Sequence, residues 1–104
     1  MDDGLTDNES KTSLLSETEQ KTPPLFKVLM HNDHYTTMEF VIEVLESVFN
    51  KSTTEANRIM MNVHLKGIGI CGIYPFEIAE TKVDRVHTLA GREGFPLRCS
   101  VEEV

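Results

Sequence analysis

The apolar positions in the first half of the chain follow two different rhythms, which predict a strand and then a helix. The run 25–31, LFKVLMH, is apolar except for one interior lysine and predicts a strand. The next apolar residues recur three and four positions apart, as on one face of an amphipathic helix; they are Met38, Val41, Ile42, Leu45, Val48 and Phe49. We expect Thr36, with Glu39 three residues later, to cap this helix.

A second capping signal, Ser52 followed by Glu55, predicts another helix that ends at Gly67. Its apolar face contains Ala56, Ile59, Met60 and Val63, and His64 continues the same stripe. The run 67–74, GIGICGIY, then predicts a strand in which glycines admit close packing.

The last part of the chain predicts one more helix and one more strand. Pro75 should open the helix, and Gly91 and Gly94 should stop it. Alternating Leu97, Cys99 and Val101 indicate the final strand. The order β-α-α-β-α-β predicts an α+β fold, in which a small three-stranded sheet is covered on one face by three helices.

The composition divides the chain into a tail and one folded domain. Residues 1–22 contain six acids and two lysines, a net charge of −4, and only a few leucines that could be buried. We therefore expect residues 1–23 to form a flexible acidic tail and residues 24–104 to form the domain, with the pair Pro23–Pro24 at the boundary.

The net charge of −7 and the composition of the chain argue against nucleic acid and membrane as partners. Lys and Arg form no stripe that could bind a phosphate backbone, so no nucleic acid is expected. No apolar run is long enough for a membrane span. Cys71 and Cys99 lie in apolar runs and should be buried reduced thiols. We expect a cytoplasmic monomer without a cofactor.

The segment 67–72, GIGICG, matches the G-x-G-x-x-G pattern of dinucleotide-binding proteins. That motif needs a preceding strand and a following helix, whereas here a helix precedes it and a strand contains it. We therefore give little weight to a nucleotide site.

The stretch 31–40, HNDHYTTMEF, is the richest in polar groups that could carry chemistry. His31, Asp33 and His34, with His64 from elsewhere, could ligate zinc, but no second tight pair of ligands accompanies them. We therefore expect no metal.

A catalytic site built on the same stretch has little support. His64 and Asp33 could form a base and its orienting partner, yet the chain offers no activated nucleophile beside them. An enzyme is therefore not expected.

A binding site for a positively charged group remains open beside a simple turn and a simple core. Asn32, Asp33 and neutral His64 supply a carbonyl oxygen, a carboxylate and a lone pair, which suit an ammonium group. Met38 and Val41 on one helix, and Met60 and Val63 on the other, could form an apolar wall beside them.

Several segments closely resemble the Clp protease adaptor family, the bacterial N-end-rule adaptors. They are FKVLMHNDHYTTMEFVIEVLESVF, RIMMNVHLKGIGICGIY, FEIAETKV and FPLRCSVEE, and they span about residues 24–103. The resemblance implies a non-enzymatic adaptor. It binds proteins with N-terminal Leu, Phe, Tyr or Trp and delivers them to the N-terminal domain of a Clp AAA+ unfoldase.

The same resemblance implies roles for particular residues. Asn32, Asp33 and His64 match positions that bind the α-amino group and first peptide unit. Glu77 and Lys82 match an unfoldase-docking surface. The pocket for the N-terminal side chain matches Met38, Val41, Met60, Val63 and Leu97, with Met38 helping to reject β-branched residues.

One departure from the family pattern bears on the proposed site, and one alternative function stays open. His34 stands where the family usually has an aspartate, so a carboxylate near the ammonium is replaced by an imidazole. The alternative function is a ribosome-associated interaction module, since the C-terminal domain of the ribosomal stalk protein has a comparable fold.

Overall fold

The computed structural model describes residues 22–104; residues 1–21, which hold most of the predicted tail, lie outside the described residues. The elements follow in the predicted order β-α-α-β-α-β. They are β1 (Leu25–His31), α1 (Met38–Ser47), α2 (Thr53–Lys66), β2 (Ile68–Pro75), α3 (Phe76–Glu93) and β3 (Arg98–Glu103). The predicted fold class is confirmed.

The three strands form an antiparallel sheet in the order β2-β1-β3. In the central strand β1, Val28 and Met30 are fully buried. Successive side chains of a strand point to opposite faces, so Lys27, Leu29 and His31 lie on the other face. We call that second face the open face of the sheet. The helices therefore cover one side only, and β2 and β3 are the two edges.

The core lies between the covered face of the sheet and the helices. Each fully buried aliphatic side chain contributes about 1.5–3 kcal/mol of transfer free energy. Cys71 and Cys99 are free and buried, as expected from the sequence. A hydrogen bond with Cys99 and burial both raise the pKa of the Cys71 thiol. The other buried hydrophobic residues are Val28, Met30, Phe40, Val41, Val44, Leu45, Val48, Phe49, Ala56, Ile59, Met60, Val63, Ala79, Val86, Ala90 and Leu97.

The start of α1 differs from the prediction by one residue. The N-cap is Thr37, whose hydroxyl oxygen accepts the N–H of Phe40 at 3.1 Å. Thr36 is wrong as the cap because its own hydroxyl donates to Asp33. The predicted bounds of α2 hold: Ser52 accepts the N–H of Glu55 at 3.2 Å.

Glycines end two helices where the backbone turns left-handed. Gly67 (φ 87°) ends α2 and Gly94 (φ 77°) ends α3. The predicted stop at Gly91 is wrong, because the positive-φ glycines are Gly67 and Gly94 and the helix runs through Gly91 to Glu93. Pro75 is the N-cap of α3 rather than its first helical residue.

Candidate functional site

A cavity of about 430 Å³ opens where the loop after β1 meets α1 and α2. We call it the loop–helix cavity. Polar groups from the loop and from the last turn of α2 share its wall with apolar side chains from both helices. Its lining residues are Asn32, Asp33, His34, Thr36, Met38, Val41, Met60, Val63 and His64.

A backbone hydrogen bond brings the two polar sides of this cavity together. The N–H of Asn32, just after β1, donates to the carbonyl of Gly67 at 3.0 Å. Gly67 caps α2, and His64 lies in the last turn of that helix. The bond therefore joins the loop that carries Asn32 and Asp33 to the end of the helix that carries His64.

The carboxylate of Asp33 is held in a fixed orientation by its own loop. Oδ1 accepts the N–H groups of Tyr35 at 2.8 Å and Thr36 at 2.7 Å. Oδ2 accepts the hydroxyl of Thr36 at 2.8 Å. An ionised carboxyl oxygen has two lone pairs, so Oδ2 retains one for another donor.

The ionised form of Asp33 is favoured in this loop. Partial burial acts to raise the pKa of Asp33, but the hydrogen bonds from Thr36 and Tyr35 and the nearby His34 outweigh it. The net result is a pKa below the usual range of an aspartate. The cavity therefore contains a negative charge at neutral pH.

The apolar wall of the cavity comes from one face of each helix. Val41, Met60 and Val63 are buried, whereas Met38, the first residue of α1, is 47% exposed. Met38 therefore lies at the rim and the other three side chains lie deeper. Methionine adapts its shape readily, so two of the four wall residues can adjust to a ligand.

The structure brings together most of the residues singled out from the sequence. Asn32, Asp33 and His64 line the cavity with the apolar residues of α1 and α2. Leu97 is not among the residues that line the cavity; it is buried in the same core cluster as Val41 and Val63.

Thr36 is a cavity residue that the sequence interpretation assigned to helix capping instead. It lines the cavity and donates its hydroxyl to Asp33. The available signal was the spacing Asp33-x-x-Thr36, since aspartates in turns accept N–H groups two or three residues ahead. His34, where the family resemblance led us to expect an aspartate, also lines the cavity.

The groups considered for a metal do not come close enough together in residues 22–104 to hold one. His31 Nε2 lies 2.7 Å from the hydroxyl of Ser100 on the open face, away from the cavity. Across residues 22–104, no three side chains of His, Cys, Asp or Glu are grouped so that they could hold a metal ion.

Two other classes were considered from the sequence: dinucleotide-binding proteins and membrane-spanning proteins. Residues 67–72 form the cap of α2 and part of β2, not the turn between a strand and a helix that a dinucleotide needs. In the part of the chain from Thr22 onward, no helix has the length and apolar character needed to cross a membrane.

Glu77 and Lys82 lie at the start of α3, away from the cavity. Glu77 is exposed in the first turn of the helix. The ammonium of Lys82 donates to the carbonyl of Val48 at 2.7 Å and lies 5.2 Å from the ring centroid of Tyr74. Lys82 thus also joins α3 to the end of α1.

The family model described as ATP-dependent Clp protease adaptor protein ClpS matches residues 21–100. The chain belongs to the ClpS family of Clp protease adaptors. It is 57% identical over 97 residues to the ClpS adapter of Desulfatibacillum aliphaticivorans, covering 91% of this chain and 93% of the relative. It is 55% identical over 100 residues to that of Nitratidesulfovibrio vulgaris strain Miyazaki F, covering 96% and 100%.

The fold is also similar to a solved ClpS structure. Agrobacterium tumefaciens ClpS2 bound to L-phenylalaninamide superposes with a TM-score of 0.77 and 38% sequence identity, covering 80% of this chain and all of the other. L-phenylalaninamide is the ligand of the Agrobacterium protein. This similarity agrees with the sheet order and the helix layer described above.

Proposed function

We propose that this ClpS-family chain is a non-enzymatic adaptor in the cytoplasm that binds proteins through a destabilising N-terminal residue: Leu, Phe, Tyr or Trp. It then delivers them to a Clp AAA+ unfoldase and so modulates what the protease degrades. The observation that carries this proposal is the loop–helix cavity, which combines acceptors for an ammonium group with an apolar wall.

The polar side of the cavity suits a protein's free α-amino group. An ammonium that leaves water must find acceptors for its N–H donors. Asp33 Oδ2 retains a lone pair after binding the Thr36 hydroxyl, and Asp33 is ionised. Asn32 adds a carbonyl oxygen, and a neutral His64 adds a ring lone pair. Together these groups bind the α-amino group and the first peptide unit.

The apolar side suits a large first side chain that is aromatic or aliphatic and is not branched at Cβ. Val41, Met60 and Val63 form the deeper wall, and Met38 narrows the rim. Burying a side chain of the size of Leu or Phe contributes about 1.5–3 kcal/mol, which a short or polar residue cannot match. Leu97, which the family resemblance also assigns to this pocket, is buried in the same core cluster as the residues of the deeper wall.

The ligand of the similar Agrobacterium structure has the same two chemical features. L-phenylalaninamide has a free α-amino group beside a benzyl side chain. The polar and apolar halves of the cavity here provide partners for both, which supports the proposal.

The unfoldase is proposed to dock on a different surface. Glu77 and Lys82 at the start of α3 contribute to it, although Lys82 already binds the carbonyl of Val48. A substrate in the cavity would leave this surface accessible. We propose that the docked partner is the N-terminal domain of the unfoldase.

A peptide panel that varies only the first residue tests the proposal. Peptides beginning with Leu, Phe, Tyr or Trp should bind in fluorescence anisotropy, and those beginning with Ser, Glu or Val should bind much more weakly. Equal affinity across the panel would overturn the proposal. Recovery of ribosomes rather than of a Clp unfoldase by the immobilised protein would favour the alternative, a ribosome-associated interaction module.

A further inference from the structure

A second concave region, larger than the loop–helix cavity, follows the outer edge of β2. It has a volume of about 660 Å³ and lies between β2, the outward side of α2 and residue Lys51. We call it the β2 groove. It is lined by Leu29, Lys51, Arg58, Ile59, Asn62, Lys66, Ile68, Gly69, Ile70, Gly72 and Ile73.

The floor of the β2 groove is an exposed apolar stripe. Ile68, Ile70 and Ile73 are 40%, 49% and 49% exposed, and Leu29 on β1 is next to them in the sheet. The β3 side of the same open face is polar, with Arg98, Ser100 and Glu102 paired to β1. An apolar stripe confined to one edge strand is typical of a surface that binds another segment.

The sides of the groove are positively charged. Lys51, Arg58 and Lys66 line it, and no carboxylate from residues 22–104 does. Glu55 forms an ion pair with Arg58 at 2.8 Å and offsets one of these charges. An occupant of this groove should therefore combine apolar residues with negative charge.

The part of this chain that precedes Thr22 has that composition. Residues 1–21 contain six acids and two lysines, and their only adjacent pair of leucines, Leu14–Leu15, comes just before Glu17 and Glu19. We propose that residues 14–19 of the same chain bind in the β2 groove. The leucines cover the isoleucine stripe, and the glutamates lie in the positive field of the groove.

The length of the chain permits this contact. Leu25 begins β1 opposite Pro75, so the chain enters the sheet beside the end of β2. Six residues from Glu19 to Leu25 can span up to roughly 20 Å. The stretch from Ile73 back to Ile68 extends about 17 Å at the rise of a strand. The segment can therefore pass around Pro75 and run along β2.

The segment proposed for the β2 groove does not compete with the ligand proposed for the loop–helix cavity. The two regions share none of their lining residues. The α-amino group that the smaller cavity is proposed to bind would be repelled by the lysines of the larger one. The β2 groove would instead keep the acidic segment on the surface of the domain until a competing partner displaces it.

Paramagnetic relaxation in the full-length protein tests the contact. A spin label on Thr12→Cys should reduce the amide peak intensity of Ile68–Ile73 clearly more than that of Arg98–Glu103 on the other edge, because the two edge strands lie about 10 Å apart. The native thiols are buried, so the label should react at position 12 alone, and the unsubstituted protein serves as the labelling control. The loss should shrink at about 1 M salt, where the Debye length is about 3 Å.

Charge reversal provides the matched variants. Glu17→Lys with Glu19→Lys should abolish the loss of intensity on β2. Adding Lys51→Glu with Lys66→Glu should restore it, whereas adding Arg98→Glu on β3 should not. Circular dichroism establishes that each variant is folded.

Three results would overturn the proposal. One is equal loss of intensity on β2 and β3. Another is a loss on β2 that charge reversal leaves unchanged. The third is a loss of the same size when the spin label is on a second, isotopically unlabelled copy, because the groove would then bind another molecule.

Discussion

The two concave regions of this domain differ in charge more than in shape. The loop–helix cavity of about 430 Å³ contains an ionised Asp33 and the oxygen of Asn32. The β2 groove of about 660 Å³ is lined by Lys51, Arg58 and Lys66. Both have an apolar surface made of aliphatic side chains. A protein's N-terminal ammonium fits the first, and an acidic apolar segment fits the second.

This difference shows why the larger region is not the better candidate for the family's ligand. Volume and apolar area are available in both places, so they do not select a ligand. Fixed polar groups do, because a charged donor leaving water needs acceptors already oriented toward it. Asp33 has that orientation from its bonds to Tyr35 and Thr36.

The largest expected effect separates the two regions directly. Asp33→Asn keeps an oxygen for the loop but removes the charge, and Asp33→Ala removes both. Hydrogen bonds to charged groups are worth about 1.5–3 kcal/mol, so the Kd for a Phe-initiated peptide should rise roughly 10- to 150-fold. Fluorescence anisotropy measures it. Lys66→Ala in the β2 groove is the control and should leave the Kd unchanged; an unchanged Kd in both Asp33 variants would refute the site.

The second prediction concerns the rim of the loop–helix cavity. Met38→Ala should widen the rim and admit peptides that begin with Ile or Val. The affinity for these peptides should rise roughly tenfold, because the extra branch at their Cβ is about the size of one methylene group. Met61→Ala is the matched control, because Met61 is exposed on α2 and lies outside the cavity lining. No gain for the β-branched peptides would reject Met38 as the gatekeeper.

The third prediction uses pH to distinguish the groups in the cavity. Binding of a Phe-initiated peptide should change little between about pH 7 and 5.5, because the carboxylate proposed to hold the ammonium keeps its charge over that range. Asp33 should stay ionised there because its pKa is lowered. A peptide's α-amino group, with a pKa of about 7.7–8.0, is already mostly protonated at the start of the range.

At neutral pH, His64→Ala should weaken binding, because it removes one of the acceptors that line the cavity. An unchanged Kd in this variant would contradict the role of His64 as an acceptor. A steep loss of binding between about pH 7 and 5.5 would contradict an Asp33 that stays ionised.

The smallest expected effect tests whether the hydrogen bond from the Thr36 hydroxyl helps Asp33 to bind the ligand. Thr36→Val removes the hydroxyl that donates to Asp33 Oδ2, and a neutral hydrogen bond of about 0.5–1.5 kcal/mol predicts a roughly 2- to 10-fold weaker Kd. Thr37→Val is the control: it removes the N-cap of α1 and should cost about 1 kcal/mol of unfolding free energy with little change in Kd. The reverse pattern would show that Thr36 acts on stability alone.

The elements of the fold were predictable because each has a local signal. Periodicity predicted β1 and the apolar faces of the helices, and Ser52 and Gly67 marked the ends of α2. The predicted start of α1 was wrong by one residue because two adjacent threonines could each cap the helix. Thr36 and Thr37 are both capable caps, and only the position of Asp33 decides which hydroxyl is free to cap α1.

The site was predictable in its residue types but not in its geometry. Sequence alone could pair Asn32 and Asp33 with His64 only as an arrangement of acceptors. The bond from Asn32 to Gly67 that joins them is a contact between distant parts of the chain. The burial of Leu97 in the core and the isoleucine stripe of the β2 groove likewise depend on how the strands pair.

The most direct test compares one Phe-initiated peptide with its N-acetylated form. Acetylation removes the charge and the donors of the α-amino group while leaving the aromatic side chain for the apolar wall. We predict that the acetylated peptide binds at least about 100-fold more weakly, since it leaves the ionised Asp33 without a partner. Equal affinity for the two peptides would contradict recognition of the N-terminus by the loop–helix cavity.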